Sequence, residues 1–349
     1  MPLPTLVSPF RGWGHQGCLG FEGGPWVEKL SQFLSGQVRI PEKWTVRGRP
    51  ALRQFWNRSI PYWFLLPALL PVFGLLLYPL IHVFQLSLQQ YVLFRPYEFG
   101  FVGLKNFATL MQDPQIWRSL GASGIWVVGS VAPQFLLGLI LALLLNETFP
   151  GRGLYRAIVI SPWALGGVLT GIFWVWMFNP MVGPINDLLL KAGLIADRIP
   201  WKTTATTAWV TLLVANTWRG IPFFALVMLA ALQSIPGELY EAAKVDGAGT
   251  WQRFRYITMP LVKDQAVLST MLRALWTFGN VDLIWTMTEG GPAGATRTLP
   301  IWVLVRAYKY SDFGQGAALA VFAVIISLMF TVSYLRLGGF AQESEAELA

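Results

Sequence analysis

A chain of 349 residues with 54% hydrophobic and only 13% charged residues is too poor in charge for a soluble domain, where about 25% is usual. Mean hydropathy of +0.50 and several apolar runs of about 20 residues point instead to repeated membrane crossings. The net charge of +8 calls for no nucleic acid, because basic residues gather at the cytoplasmic ends of membrane helices. The lone cysteine, Cys18, excludes an internal disulfide and a thiolate metal cluster. His15 and His82 are the only histidines, and His82 lies in an apolar run where packing or an interfacial place is expected rather than metal ligation. No phosphate loop ending in Gly-Lys-Ser/Thr is present, so ATP chemistry would have to come from another chain.

Residues 1–60 lack the early apolar core of a cleaved signal peptide, so none is expected. Val27, Leu30, Phe33 and Leu34 have helical spacing and fit either a short amphipathic helix on the membrane surface or a loosely ordered tail. Arg39, Lys43, Arg47, Arg49, Arg53 and Arg58, opposed only by Glu42, flank the first apolar run and place the amino terminus in the cytoplasm. The first span is expected at about 62–84, interrupted by Pro67, Pro71 and Pro79, which membrane helices tolerate when neighbours satisfy the freed carbonyls. A second follows at about 118–145, where Gly121, Ser123, Gly124 and Gly138 permit close helix contact. Further spans are expected at about 157–178, 207–232, 265–287 and 313–335. The reading is an all-α polytopic membrane protein with six transmembrane helices and both termini cytoplasmic. Its regions are an extension (1–60), a transmembrane domain (61–337) and an acidic tail (338–349).

The connection between the fourth and fifth spans has its own pattern. Ser234 is placed to cap a short helix with Pro236 in its first turn, and Leu239, Ala242, Ala243 and Val245 give that helix one apolar side. Gly247 and Gly249 break it, because glycine bends without a Cβ penalty. Thr250 is placed to cap a second short helix over about 251–258, with Pro260 before the next apolar run. The product is a helix–turn–helix knob at the membrane face, suited to docking into another protein.

Glu241-Ala242-Ala243, then Asp246-Gly247-Ala248, then Ile257 and Met259-Pro260 resemble the EAA loop of the permease subunits of binding-protein-dependent ABC importers. Gly103-Leu104-Lys105-Asn106-Phe107, Asp113-Pro114, Pro162-Trp163-Ala164, Phe178-Asn179-Pro180 and Gly290-Gly291-Pro292-Ala293 resemble the sugar-permease branch of that family. The resemblance spans about 60–337; the long head is outside it. It implies a multi-pass protein of the bacterial inner membrane that is a permease subunit and not itself an enzyme, with no catalytic or metal-binding residues. It also implies a second permease subunit as the other half of a heterodimer, two ATPase subunits that carry ATP-Mg, an extracytoplasmic solute-binding protein, and contact with membrane lipid. In that family the loop is the coupling helix that fits a cleft on the ATPase. By resemblance Glu241 is the anchoring charge and Gly247 sets the turn angle, with Ala242, Ala243, Asp246 and Ala248 completing the coupling segment.

Ionisable groups at bilayer depth usually face a bundle interior or a watery path. Asn216 and Arg219 lie in the fourth span, and Arg273, Trp276, Asn280 and Asp282 in the fifth. Arg273, Trp276 and Asn280 have i, i+3, i+7 spacing and share one helical face. This set either lines a substrate path, with amides and carboxylate exchanging hydrogen bonds with sugar hydroxyls and an indole stacking on a sugar ring, or holds helices together. Trp163, Trp174, Trp176, Trp285 and Trp302 read as interfacial belt or packing. The expected cargo is a sugar or sugar-like solute. The alternatives are glycerol phosphate or another small polar solute on the same fold, and, further off, an ion-gradient-driven secondary transporter, for which Asp282 is the one carboxylate available within a span.

Overall fold

The computed structural model describes residues 64–65 and 67–337. The extension 1–60 and the tail 338–349 lie outside the described residues. The chain divides into two units, Met1–Val72 and Phe73–Ala349. The described part of the first is helical and exposed.

The described part of the second unit is mostly helical, with one small hairpin. Helix α1 is Tyr78–Ser87, followed by β1 (Gln89–Gln90) and β2 (Gly100–Phe101), antiparallel with Gln89 opposite Phe101. Helix α2 (Lys105–Gln112) is pinned to this corner by Asn106, whose buried amide donates to the carbonyls of Ser87 (2.9 Å) and Gln89 (2.8 Å). Asp113 caps α3 (Pro114–Asn146) by accepting from the Gln115 N–H at 2.9 Å, and Pro114 occupies the first turn, where its missing donor costs nothing.

Then come α4 (Arg152–Ile160), a 3₁₀ turn (Ser161–Ala164), α5 (Gly167–Met177) and α6 (Pro184–Lys191). Helix α7 is Ala205–Gln233, α8 Gly237–Val245 and α9 Thr250–Arg253. A π turn, Phe254–Thr258, carries α9 into α10 (Met259–Phe278) without a break. Helices α11 (Asp282–Thr288) and α12 (Leu299–Leu304) precede the last, α13 (Phe313–Leu337).

Among the described residues four helices are long and apolar enough to cross a membrane: Pro67–Ser87, Pro114–Asn146, Ala205–Gln233 and Phe313–Arg336. A fifth candidate is the pair Arg152–Ala164 and Gly167–Met177, bent by 98°. The segment 157–178 is therefore an elbow and not one helix: Pro162 lacks an N–H, and Gly166 is extended. The segment 265–287 is not one helix either. It begins earlier, with Lys263 and Asp264 near its start, and stops at Gly279; Asn280 accepts from the Leu283 N–H at 3.3 Å as α11 begins.

Helices α3 and α7 pack along each other. At Gly138 the approach is so close that a Cβ would overlap the Cβ of Phe224 and sit 3.1 Å from the Ile221 carbonyl oxygen. Gly121 and Gly124 meet nothing at such range among the described residues, so within this chain the close contact is made at Gly138. Ser123 is buried and accepts from the Leu299 N–H at 2.9 Å, satisfying a donor at the start of α12.

Two apolar clusters sit at opposite ends of this bundle. One gathers Trp126, Leu212, Ala215, Ile284, Leu299 and Leu319. The other, toward α8, gathers Leu139, Leu145, Met228, Leu232, Val262 and Ala266. On α3, α7 and α10 the residues between the two clusters include Gln134, Asn216, Gly220 and Arg273, all buried.

Candidate functional site

A cavity of about 220 Å³ opens at this polar layer, lined by Trp163, Asn216, Arg219, Arg273, Trp276, Thr277 and Asn280. Five of the six residues singled out as a candidate path thus line one space. Asp282 does not: it starts α11, exposed, with its Cβ where a side chain on Gly167 would have to go. Asn280 reaches the cavity from the break after α10, and so not through the continuous helical spacing expected of it.

Each guanidinium is fixed through its Nε. Arg273 donates to Gln134 Oε1 at 2.7 Å, and Gln134 Nε2 donates to the Asn216 carbonyl at 2.9 Å. One amide thereby joins α3, α7 and α10. The join needs Gly220, because a Cβ there would overlap Gln134 and sit 2.5 Å from Arg273 Nη2. Arg219 donates to the Leu165 carbonyl at 3.2 Å, supplying a donor at the elbow between the 3₁₀ turn and α5. Neither arginine has a carboxylate partner among the described residues. Phe223 lies under the Arg273 guanidinium at 5.8 Å and edge-on to Trp276 at 5.5 Å.

Two contributors escaped the sequence reading. Gln134 is a single amide in an apolar run, beside Pro133. Trp163, grouped above with the belt tryptophans, lines the cavity just before the elbow. Trp174 and Trp302 are buried in the core and Trp176 is exposed. A further signal was the spacing of Gly167 and Gly171. A Cβ at these positions would come within 2.8 Å of Asp282 and Thr286, so α5 and α11 pack at backbone range.

The knob is built differently. Helix α8 ends in a paired-bond cap: Ala248 N–H donates to the Ala243 carbonyl (2.8 Å) and Gly247 N–H to the Lys244 carbonyl (3.1 Å), with Gly247 at φ +79°. The left-handed conformation explains glycine at that position. Ser234 does not cap α8; its hydroxyl donates to the Ala231 carbonyl at the end of α7. Thr250 is not the cap of α9; Gly249 is, its N–H donating to Gln252 Oε1 at 2.7 Å. Glu241, Ala242, Asp246 and Gly247 are exposed, Ala243 and Ala248 half-buried. Glu241 has no ion-pair partner among the described residues.

Residues 134–340 match the family described as binding-protein-dependent transport system inner membrane component. The chain belongs to that family. It is a multi-pass membrane protein, the transport-membrane component of a binding-protein-dependent ABC importer. It is 35% identical over 285 residues to the trehalose/maltose transport system permease protein MalF of Thermococcus litoralis, covering 82% of this chain and 95% of that one. It is 32% identical over 300 residues to the sulfoquinovosyl glycerol transport system permease protein SmoG of Agrobacterium fabrum, covering 86% and 96%. Its fold matches a chain in the crystal structure of a bacterial ABC transporter that imports the acidic polysaccharide alginate. The TM-score is 0.72 at 23% identity, over 82% of this chain and 98% of that one.

Proposed function

We propose that the chain forms one half of the translocation path for a sugar or sugar-like solute, with a second permease subunit supplying the other half. In this reading it crosses the membrane six times with both ends cytoplasmic, α10 and α11 together making the fifth crossing. An extracytoplasmic solute-binding protein delivers cargo, and two ATPase subunits carrying ATP-Mg dock at α8, with Glu241 as the anchoring charge. The observation that carries the reading is the cavity itself. Two indoles and a set of amide, hydroxyl and guanidinium groups wall a space at the polar layer of the bundle, the mixture that a hydroxyl-rich ring needs for stacking and hydrogen bonding. The MalF and SmoG relatives support a sugar-containing cargo.

Mechanically, closure of the ATPase pair displaces α8, and the long run 250–278 turns with it, re-aiming Arg273 and Trp276 at the cavity. The test is uptake into proteoliposomes holding the full importer, after the binding protein has been screened calorimetrically against sugars. Uptake should require both ATP and the binding protein. Uptake with the ATPase omitted would overturn the reading in favour of a gradient-driven carrier. A second reading, a phosphorylated or otherwise anionic solute, is favoured by Arg219 and Arg273 lacking carboxylate partners among the described residues. Competition between neutral and anionic sugars in the same assay separates the two.

A further inference from the structure

Helix α8 is joined to the run 250–278 covalently only through Asp246–Gly247–Ala248–Gly249, and two of those four residues are glycines. The cap bonds at Gly247 and Ala248 close α8 and the Gly249–Gln252 bond opens α9, but among the described residues no backbone hydrogen bond crosses from one arm to the other, so the joint is a hinge. A hinge absorbs rotation of one arm and does not pass it to the other. Apolar packing does not stiffen it, because no residue of α8 is buried. On the side facing α3 and α7, a cavity of about 760 Å³, lined by Asn146, Glu147 and Leu232 among others, separates α8 from the ends of those helices.

One side-chain hydrogen bond among the described residues spans the two arms away from the hinge. The Tyr240 hydroxyl lies 2.9 Å from Thr258 Oγ1. Tyr240 is about two turns before Gly247, roughly 10 Å along α8, and Thr258 is a little farther along the other arm. Thr258 is 4% exposed and ends the π turn, so one end of the contact is anchored in packed structure. A tie placed that far from a hinge makes the two arms and the tie a triangle, which transmits rotation where the glycine joint alone would fold.

We propose that the Tyr240–Thr258 hydrogen bond is the positioning tie through which movement of α8 enters the run 250–278, and so reaches Arg273 and Trp276, about 22 and about 27 Å along the helix beyond Thr258. Neither residue touches cargo or nucleotide; both act through the helix they brace. The proposal rests on the reading of this chain as an ATP-driven permease.

The experiment measures solute moved per ATP hydrolysed by the reconstituted importer, with binding protein and ATPase present. Tyr240→Phe and Thr258→Val each remove one hydroxyl and should lower that ratio about fivefold, the equivalent of one neutral hydrogen bond at about 1 kcal/mol. Thr258→Ser keeps the hydroxyl and should retain the ratio. The double variant Tyr240→Phe/Thr258→Val should be no worse than either single one. A fall in the yield of assembled importer with an unchanged ratio would mark the contact as merely structural and overturn the tie. An unchanged ratio in both hydroxyl-deleting variants would do the same. If Gly247→Asp uncouples the importer and Tyr240→Phe does not, the tie alone fails. If the wild-type chain moves solute without the ATPase, the reading beneath it fails.

Discussion

The polar layer around Gln134 and the knob around Gly247 are held in opposite ways. In the layer, Gln134, Asn216 and Arg273 are buried and bonded across three helices, and a glycine makes room for them. In the knob no residue of α8 is buried, and its shape comes from a backbone cap and a few hydroxyl and amide bonds. A region finished by its own chain is stabilised by burial. A region that another chain will cover needs only a correct shape and an open face. Stability and coupling should therefore fail separately when each is mutated.

The sharpest way to break that contrast is Gly220→Ala. The added methyl would overlap Gln134 and crowd Arg273 where these buried side chains meet, so destabilisation of about 3 kcal/mol is expected, read as a fall in thermal unfolding temperature of the solubilised protein. A near-normal unfolding temperature would show that the layer gives way easily. Gln134→Leu comes next. It strips Arg273 Nε of its acceptor and should cost about 2 kcal/mol, the penalty of a buried donor left unpaired. Gly247→Asp has the smallest effect on stability, about 1 kcal/mol for a side chain held at positive φ. It should leave assembly intact while uncoupling ATP hydrolysis from uptake. Wild-type uptake by that variant at equal expression would erase the distinction between the two regions.

The long helices were legible because α3, α7 and α13 are continuous apolar stretches, whose composition alone says membrane. The elbow before α5 and the stop at Gly279 were not. A hydropathy window averages over Pro162, Gly166 and Gly279 and sees no geometry. The glycine turn of the knob was readable from Gly247, since only its backbone freedom suits a left-handed cap. The caps assigned to Ser234 and Thr250 were misplaced, because hydroxyl residues near a helix end serve either neighbour and packing decides which. At the cavity, charged residues in an apolar setting stood out, whereas Gln134, uncharged among leucines and valines, did not. Asp282 stood out for the same reason and lies elsewhere, since a helix break lets the chain turn its carboxylate away from the space that Arg273 lines.

The Arg219 bond to the Leu165 carbonyl bears on any redesign of cargo preference. One side chain both faces the cavity and props the elbow between α4 and α5, so replacing it would remodel the architecture along with the chemistry. Trp163 and Trp276 face the same space without a hydrogen bond to any described residue, which makes them the freer positions at which to reshape selectivity.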